Sequence, residues 1–199
     1  TQLEWVLADL GVLGAAAITV TIYQSNKPHE VQYILQDSGA SWIFCDTAAQ
    51  VAKIREVKGE CPNLKGLIRA EGRPADAFER SLADLEKAGV EWRKTNPQAH
   101  DARTASVASD APASFIYTSG TTGNPKGVVL THANWVYEAD AVAGMQIVRP
   151  DDVLLQFLPF ARAEVRHAHA RSAGRLGAVE GMAVHALVEV LGDLVVHGV

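Results

Sequence analysis

A run of glycine and hydroxyl residues, Thr118 to Gly127, lies between two apolar segments of the chain. These segments, Ala113 to Tyr117 and Val128 to Leu130, predict two strands that the run joins as a loop. The glycines let main-chain N–H groups approach an anion closely, and the hydroxyls add further donors. Lys126 adds a positive charge, and the run contains no acidic residue. The pattern predicts a polyphosphate-binding loop, and the alternative is a flexible linker without a ligand.

Two other phosphate-binding motifs do not match this run. In a Walker A loop the lysine directly follows the second fixed glycine and a helix begins there. Here Lys126 follows Pro125, precedes Gly127 and leads into a predicted strand. The dinucleotide-binding pattern of three glycines, G-x-G-x-x-G, is also absent.

The string from Tyr117 to Val128 resembles the phosphate-loop signature of the adenylate-forming superfamily, which contains acyl-CoA synthetases, luciferases and the adenylation domains of peptide synthetases. Two upstream stretches, 4–20 and 31–46, are most similar to bacterial long-chain fatty acid–CoA ligases. The similarity covers about residues 1 to 160. Within it, the loop motif is the specific part.

The resemblance implies an α/β fold, namely an incomplete part of the layered N-terminal domain of an adenylate-forming enzyme. It implies an ATP-dependent ligase that activates a fatty acid as acyl-adenylate and transfers it to coenzyme A, with Mg²⁺ as cofactor. Lys126 would be the catalytic cation. The ATP-binding residues would be Thr118, Ser119, Gly120, Thr121, Thr122, Gly123 and Lys126. The adenine, ribose and Mg²⁺ ligands would lie downstream, so we assign no metal ligand.

Activity of the chain itself is a separate expectation. We expect the 199-residue chain alone to be inactive, because half of the ATP site would be missing. Two alternatives stay open, a non-catalytic nucleotide- or phosphate-binding remnant and an interaction module in which the tail binds a partner.

Composition restricts the partners and the compartment. The net charge of −5, without a basic stripe, argues against a nucleic-acid surface. The two cysteines, Cys45 and Cys61, fit neither a disulfide framework nor a zinc site, so we expect the reducing cytoplasm. The apolar stretch from Trp5 to Val20 contains Asp9 and is too short to span a membrane, although peripheral membrane contact stays open.

Apolar periodicity predicts alternating helices and strands, as in a layered α/β domain. The predicted helices are a buried one with the stripe Leu3, Val6, Leu7, Leu10 and Leu13, a second from Pro28 to Gly39, a third near Ala48–Val57, a fourth carrying Phe78, Leu82 and Leu85 that stops at Gly89, and a last one capped by Thr131 and ending near Met145. The predicted strands are Ala17–Ile22, Ser41–Cys45, Leu64–Ile68, the two beside the loop, and Val153–Phe157. Residues 94–112 are polar and predict a surface connection.

Several single residues have a structural interpretation instead of a catalytic one. Tyr117 is expected to pack within its strand, His132 to begin a helix, and Cys45 to be a small buried side chain. Asp37 is one of several scattered aspartates, which do not form a paired-carboxylate pattern.

The composition changes after Phe160. The superfamily element L-P-x-x-H begins at Leu158, but Arg162 occupies the position of the histidine. From Ala161 onward the chain is rich in Ala, Arg, His, Gly and Val, with no lysine, Phe, Tyr or Trp. We therefore divide the chain into a partial AMP-binding N-terminal domain, 1–160, and an atypical tail, 161–199. The tail is either a frameshift or truncation product or a divergent helical segment.

Overall fold

The computed structural model describes residues 3–118 and 124–145. The helices are α1 (Leu3–Gly14), α2 (Pro28–Ser38), α3 (Ala48–Val57), α4 (Leu82–Thr95), α5 (Ala99–Ala105) and α6 (His132–Gly144), with a 3₁₀ turn at Lys58–Glu60. The strands are β1 (Thr19–Thr21), β2 (Trp42–Cys45), β3 (Gly66–Arg69), β4 (Glu79–Ser81), β5 (Pro112–Thr118) and β6 (Lys126–Thr131). The predicted α/β class is confirmed.

The described strands form two three-stranded sheets. In the first sheet, β5 lies between β1, to which it is parallel, and β6, to which it is antiparallel. In the second, β3 lies between β2 and β4, and all three strands are parallel. The predicted phosphate loop therefore follows the central strand of the first sheet.

The core lies on both faces of the second sheet. On one face, Leu67 packs with α2 and α3 side chains such as Val31, Leu35 and Ile54. On the other face, its neighbour Ile68 packs with residues of α1 and α4. Both β3 side chains are fully buried. A strand covered on both faces carries apolar residues at successive positions, as β3 does at Leu67 and Ile68.

Helix α2 matches its prediction closely, and local chemistry explains both of its ends. Pro28 occupies the first turn, where a missing N–H costs nothing. The Glu30 side chain accepts a hydrogen bond from the Lys27 main-chain N–H at 2.7 Å. Gly39 ends the helix with a φ of +67°, a conformation that favours glycine. The predicted inward residues, Val31, Ile34 and Leu35, are the buried ones.

The predicted buried face of α1 is wrong. Leu3 is exposed and the other stripe residues are half-buried, whereas α1 buries Ala8, Asp9 and Gly11. Small side chains allow the helix to approach the second core cluster closely. Leu10 and Leu13 instead border an open groove that α1 shares with residues of α6 and the segment just after α5. The strand that follows is also shorter than predicted, Thr19–Thr21.

Three further predictions need correction. Phe78 precedes β4, which was not predicted, and packs on the first core cluster. Gly89 is buried within α4 and does not end it, so the helix continues to Thr95. Glycine in a helix interior costs only ~1 kcal/mol, which burial of neighbouring leucines offsets. The segment 94–112 contains the polar helix α5 in addition to surface loops.

Some predictions fall outside the described residues. These are the strand Val153–Phe157, the L-P-x-x-H element and the tail 161–199. Among the helices of the described ranges, none combines the length and apolar content needed to cross a bilayer.

Candidate functional site

The β5–β6 hairpin brings the two ends of the predicted phosphate loop together. The Cα atoms of Thr118 and Lys126 are partners in the antiparallel register, directly after the pair Tyr117 and Gly127. The two strands predicted on either side of the loop are thus confirmed. Lys126 and Thr118 are both exposed, at the end of the hairpin where the loop joins the two strands.

The position of the hairpin is set by contacts on both faces of β5. On one face, the Trp135 indole N–H of α6 donates to the Ser114 hydroxyl at 3.0 Å, and Ser114 is fully buried. On the other face, the Tyr117 hydroxyl donates to Asp37 Oδ2 on α2 at 2.6 Å. Side chains three apart on a strand point to opposite faces, so the two hydrogen bonds hold β5 between α6 and α2.

Tyr117 is a packed strand residue, as predicted. Its side chain is buried, and its ring meets that of Tyr33 edge to face, with centroids 6.5 Å apart. Burial, followed by the hydrogen bond and the charge of Asp37, raises the pKa of Tyr117 above the ordinary value of about 10. The phenol therefore remains a hydrogen-bond donor throughout the neutral range.

Gly127 allows the tyrosine ring to lie close to the opposite strand. A Cβ atom at this position would be 3.1 Å from Tyr117 Cζ and 3.3 Å from its hydroxyl oxygen. That separation is tighter than ordinary van der Waals contact, so a larger residue would displace the ring. An aromatic side chain that covers a cross-strand glycine stabilises the pair.

Helix α6 begins at the end of β6 through a hydrogen-bonded cap. The Thr131 hydroxyl accepts from the Asn134 main-chain N–H at 3.3 Å, and the Asn134 side chain accepts from the Thr131 N–H at 2.9 Å. This reciprocal pattern is a capping box. His132 is the first helical residue, which confirms its predicted structural role.

The predicted site residues fall into two groups. Thr118 and Lys126 lie within the described ranges, and the hairpin brings them together. Five lie outside the described residues, namely Ser119, Gly120, Thr121, Thr122 and Gly123. The binding role of all seven remains a prediction.

Sequence reasoning missed the contribution of Asp37. Its carboxylate meets Tyr117, which is 80 positions away in the chain. A lone aspartate near the end of a helix carries no sequence signal for such a partner. The structure is required to find the contact.

The described residues offer no preformed metal centre. Within 3–118 and 124–145, no group of three or more His, Cys, Asp or Glu side chains could hold an ion. Cys45 and Cys61 are free and buried. Burial, with the nearby Asp46 charge, raises the pKa of Cys45 to about 12, which supports its predicted role as an inert packed side chain.

Comparison with known proteins gives the family. The AMP-binding enzyme family matches residues 1–165 of the chain. Among curated proteins, the long-chain-fatty-acid–CoA ligase FadD15 of Mycobacterium bovis is 35% identical over 168 residues, which cover 83% of this chain and 27% of that protein. The chain thus spans about a quarter of the length of this relative.

Solved structures agree with this match. The anthranilate CoA ligase AuaEII, in complex with anthranoyl-AMP, is 26% identical with a TM-score of 0.55, covering 69% of this chain and 24% of that one. ATP-bound MatB from Rhodopseudomonas palustris shares the fold with a TM-score of 0.61 at 19% identity, covering 86% of this chain and 31% of that one. Because the family match extends over most of its length, the chain belongs to the AMP-binding enzyme family.

Proposed function

We propose that the loop between β5 and β6 holds the β- and γ-phosphates of ATP. In this proposal, Gly120 and Gly123 donate main-chain N–H groups, and the Ser and Thr residues donate hydroxyl groups. Lys126 places its ammonium group beside the phosphates. The observation that carries the proposal is the Thr118–Lys126 pairing, which brings the lysine to the mouth of a loop rich in donors and free of acidic residues.

The proposed reaction is the ATP-dependent activation of a carboxylic acid. A carboxylate oxygen attacks the α-phosphorus of ATP, the bond to the β-phosphate oxygen breaks, and pyrophosphate leaves with its charge. The thiol of coenzyme A then attacks the acyl carbon and releases AMP. Lys126 and the loop donors would stabilise the charge that develops on pyrophosphate, and loss of one such donor typically costs ~3 kcal/mol.

Mg²⁺ would share this charge when bound with ATP. Within residues 3–118 and 124–145, no group of three or more His, Cys, Asp or Glu side chains could hold the ion. We therefore expect the ion to arrive with the nucleotide and assign it no ligand from these residues.

A fatty acid is the proposed substrate. The support is similarity to relatives named long-chain-fatty-acid–CoA ligases, from Mycobacterium bovis and, at 34% identity, from Drosophila melanogaster. The free cysteines are consistent with the proposed cytoplasmic location. The division at residue 160 and the atypical tail remain part of the proposal.

We propose further that the 199-residue chain binds ATP without forming acyl-CoA. It spans 27% of the length of FadD15, and the relative's remaining length would carry the other half of the site. Acyl-CoA formation by the purified chain would contradict this part.

Calorimetric titration of the chain with ATP and Mg²⁺ tests the phosphate site. Lys126→Ala removes the proposed phosphate contact and is expected to weaken ATP binding at least tenfold, since a hydrogen bond to a charged group contributes ~1.5–3 kcal/mol. Lys87→Ala is the matched control, because Lys87 is an exposed lysine of α4 paired loosely with Asp84 at 3.7 Å. Equal ATP affinity in both variants would overturn the proposal.

A further inference from the structure

The Tyr117 hydroxyl makes a contact that packing alone does not require. A phenylalanine ring would fill the same space and cover Gly127 equally well. The hydroxyl instead donates to Asp37 Oδ2 at 2.6 Å, and charge-assisted O–H···O⁻ bonds of this length are strong. Tyr117 directly precedes Thr118, the first residue of the proposed phosphate loop.

Asp37 is a fixed point for this contact. It belongs to the last turn of α2. This helix is anchored by three buried apolar side chains, Val31, Ile34 and Leu35. The same helix contributes Tyr33, whose ring meets that of Tyr117 edge to face. The end of β5 is therefore tied to an element anchored against the second sheet.

The tyrosine ring transmits this restraint to the other end of the loop. It lies against Gly127, which directly follows Lys126 at the start of β6. The β6 side chains Val128 and Val129 are exposed. Among the contacts of the described residues, the Tyr117 ring is thus a buried anchor for the loop's exit.

We propose that Tyr117 is a positioning residue, which holds the entry and exit of the phosphate loop in register through its hydroxyl bond to Asp37 and its ring contact with Gly127. The expected effect on ATP binding rests on the proposed function. The restraint of the loop ends can be measured without a ligand. The two claims can therefore fail independently.

Amide hydrogen exchange of the ligand-free chain tests the restraint. Tyr117→Phe keeps the ring and removes the hydroxyl, and Asp37→Ala removes the acceptor at an exposed position that folding should tolerate. Both variants are expected to speed amide exchange about tenfold in peptides spanning 115–129. Local opening of the hairpin costs less free energy in these variants, because it no longer has to break a charge-assisted hydrogen bond. Peptides from α3 and β3 should remain unchanged.

Two further variants separate positioning from general stability. Asp37→Asn keeps the shape of the side chain and an acceptor oxygen but removes the charge, so it is expected to restore only part of the protection that Asp37→Ala loses. A role of side-chain packing alone would give full restoration. Tyr137→Phe removes the same hydroxyl from a side chain that is 75% exposed on α6 and should leave exchange near the hairpin unchanged.

The ATP affinity of the same variants completes the test. Tyr117→Phe and Asp37→Ala should each weaken ATP binding, and the double variant should be no weaker than either single one, because they break the same contact. Unchanged exchange at 115–129 in Tyr117→Phe, or equal acceleration along the whole chain, would overturn the inference. If the wild-type chain bound no ATP while the exchange result held, the proposed function would fail and the positioning role would stand.

Discussion

At the scale of single residues, Glu79 is a carboxylate whose side chain is completely buried. Arg69 Nη1 donates to its Oε2 at 2.9 Å, the Ala75 main-chain N–H donates to the same oxygen at 3.1 Å, and Arg55 donates to its Oε1. Burial raises the pKa of Glu79, but the hydrogen bonds and charge of its partners outweigh burial, so its pKa lies below the ordinary value. The folded protein therefore holds the ionised form.

Glu79→Gln is expected to lower the free energy of unfolding by about 3 kcal/mol near neutral pH, because it leaves the largely buried Arg69 without its counter-charge. Because the pKa of Glu79 is lower in the folded state, its ionised form stabilises the fold fully at pH values above the unfolded-state pKa of about 4.3. This stabilisation is lost as the pH falls through the folded-state pKa. Urea unfolding of both proteins between neutral and acidic pH should show their stability difference shrinking below about pH 4.3.

Glu91→Gln provides the control for this experiment. Glu91 forms an exposed pair with Lys94 on α4, and such pairs contribute about 0–1 kcal/mol. Glu91→Gln should therefore change the free energy of unfolding only slightly at every pH. A stability difference for Glu79→Gln that stays constant on acidification would contradict the assignment of an ionised buried carboxylate.

Residue identity predicted the type of the candidate site but not the contacts that hold it. The hydroxyls, glycines and Lys126 indicate a phosphate loop from composition and order alone. The partner of Tyr117 could not be predicted, because contacts between distant positions depend on how α2 and β5 are placed by the fold. Lone acidic residues such as Asp37 look alike in sequence.

At the scale of elements, the register of β2 and β3 depends on one glycine. Trp42 and Gly66 are partners in the parallel pair, and the indole ring occupies the space next to the Gly66 Cα. The Arg80 guanidinium also lies over the Trp42 ring, with its Cζ 5.5 Å from the ring centroid. The ring is thus packed where no side chain larger than hydrogen fits.

Gly66→Ala is expected to destabilise the protein by about 2–3 kcal/mol, because the new Cβ would overlap the Trp42 ring and force it or the strand to move. Gly59→Ala is the matched control, since a Cβ there meets nothing within 4 Å. Thermal unfolding of both variants measures the difference. Equal melting temperatures would show that the ring relocates without cost.

The elements differ in how well sequence predicts them, and the reason is the source of their stability. Helix α2 has a proline start, an apolar face and a glycine end, so its pattern is complete between Pro28 and Gly39. Strand β4 has the sequence Glu-Arg-Ser, and its inward residue is Glu79, which is satisfied by arginines from other elements. A buried ion pair in place of an apolar side chain leaves no periodic signal, so β4 was missed.

Helix α1 shows a different limit of sequence patterns. Hydrophobicity selects the large side chains, but the residues that α1 buries are Ala8, Asp9 and Gly11, two of which are small and one of which is charged. Close approach between a helix and its neighbours favours small residues, and a scale based on hydrophobicity alone does not reward them. The predicted face was therefore rotated away from the true one.

At the scale of the whole molecule, α2 links the two sheets. Its apolar face packs on the second sheet through Val31 and Leu35, while Asp37 and Tyr33 contact Tyr117 at the end of the first. The strand that leads into the candidate phosphate loop is thus attached to a helix of the buried core. A loop held by rigid elements can keep its donors in place before the nucleotide binds.

The central claim is that this loop binds the triphosphate of ATP, and backbone amide NMR of the isotope-labelled chain tests it most directly. On titration with ATP and Mg²⁺, we predict that the largest shift changes fall on the amides from Thr118 to Gly127, with Gly120 and Gly123 foremost, and that Lys126→Ala reduces them at equal ATP concentration. Saturable shifts confined to other parts of the chain, or no shifts in the loop at concentrations that saturate binding, would contradict the account.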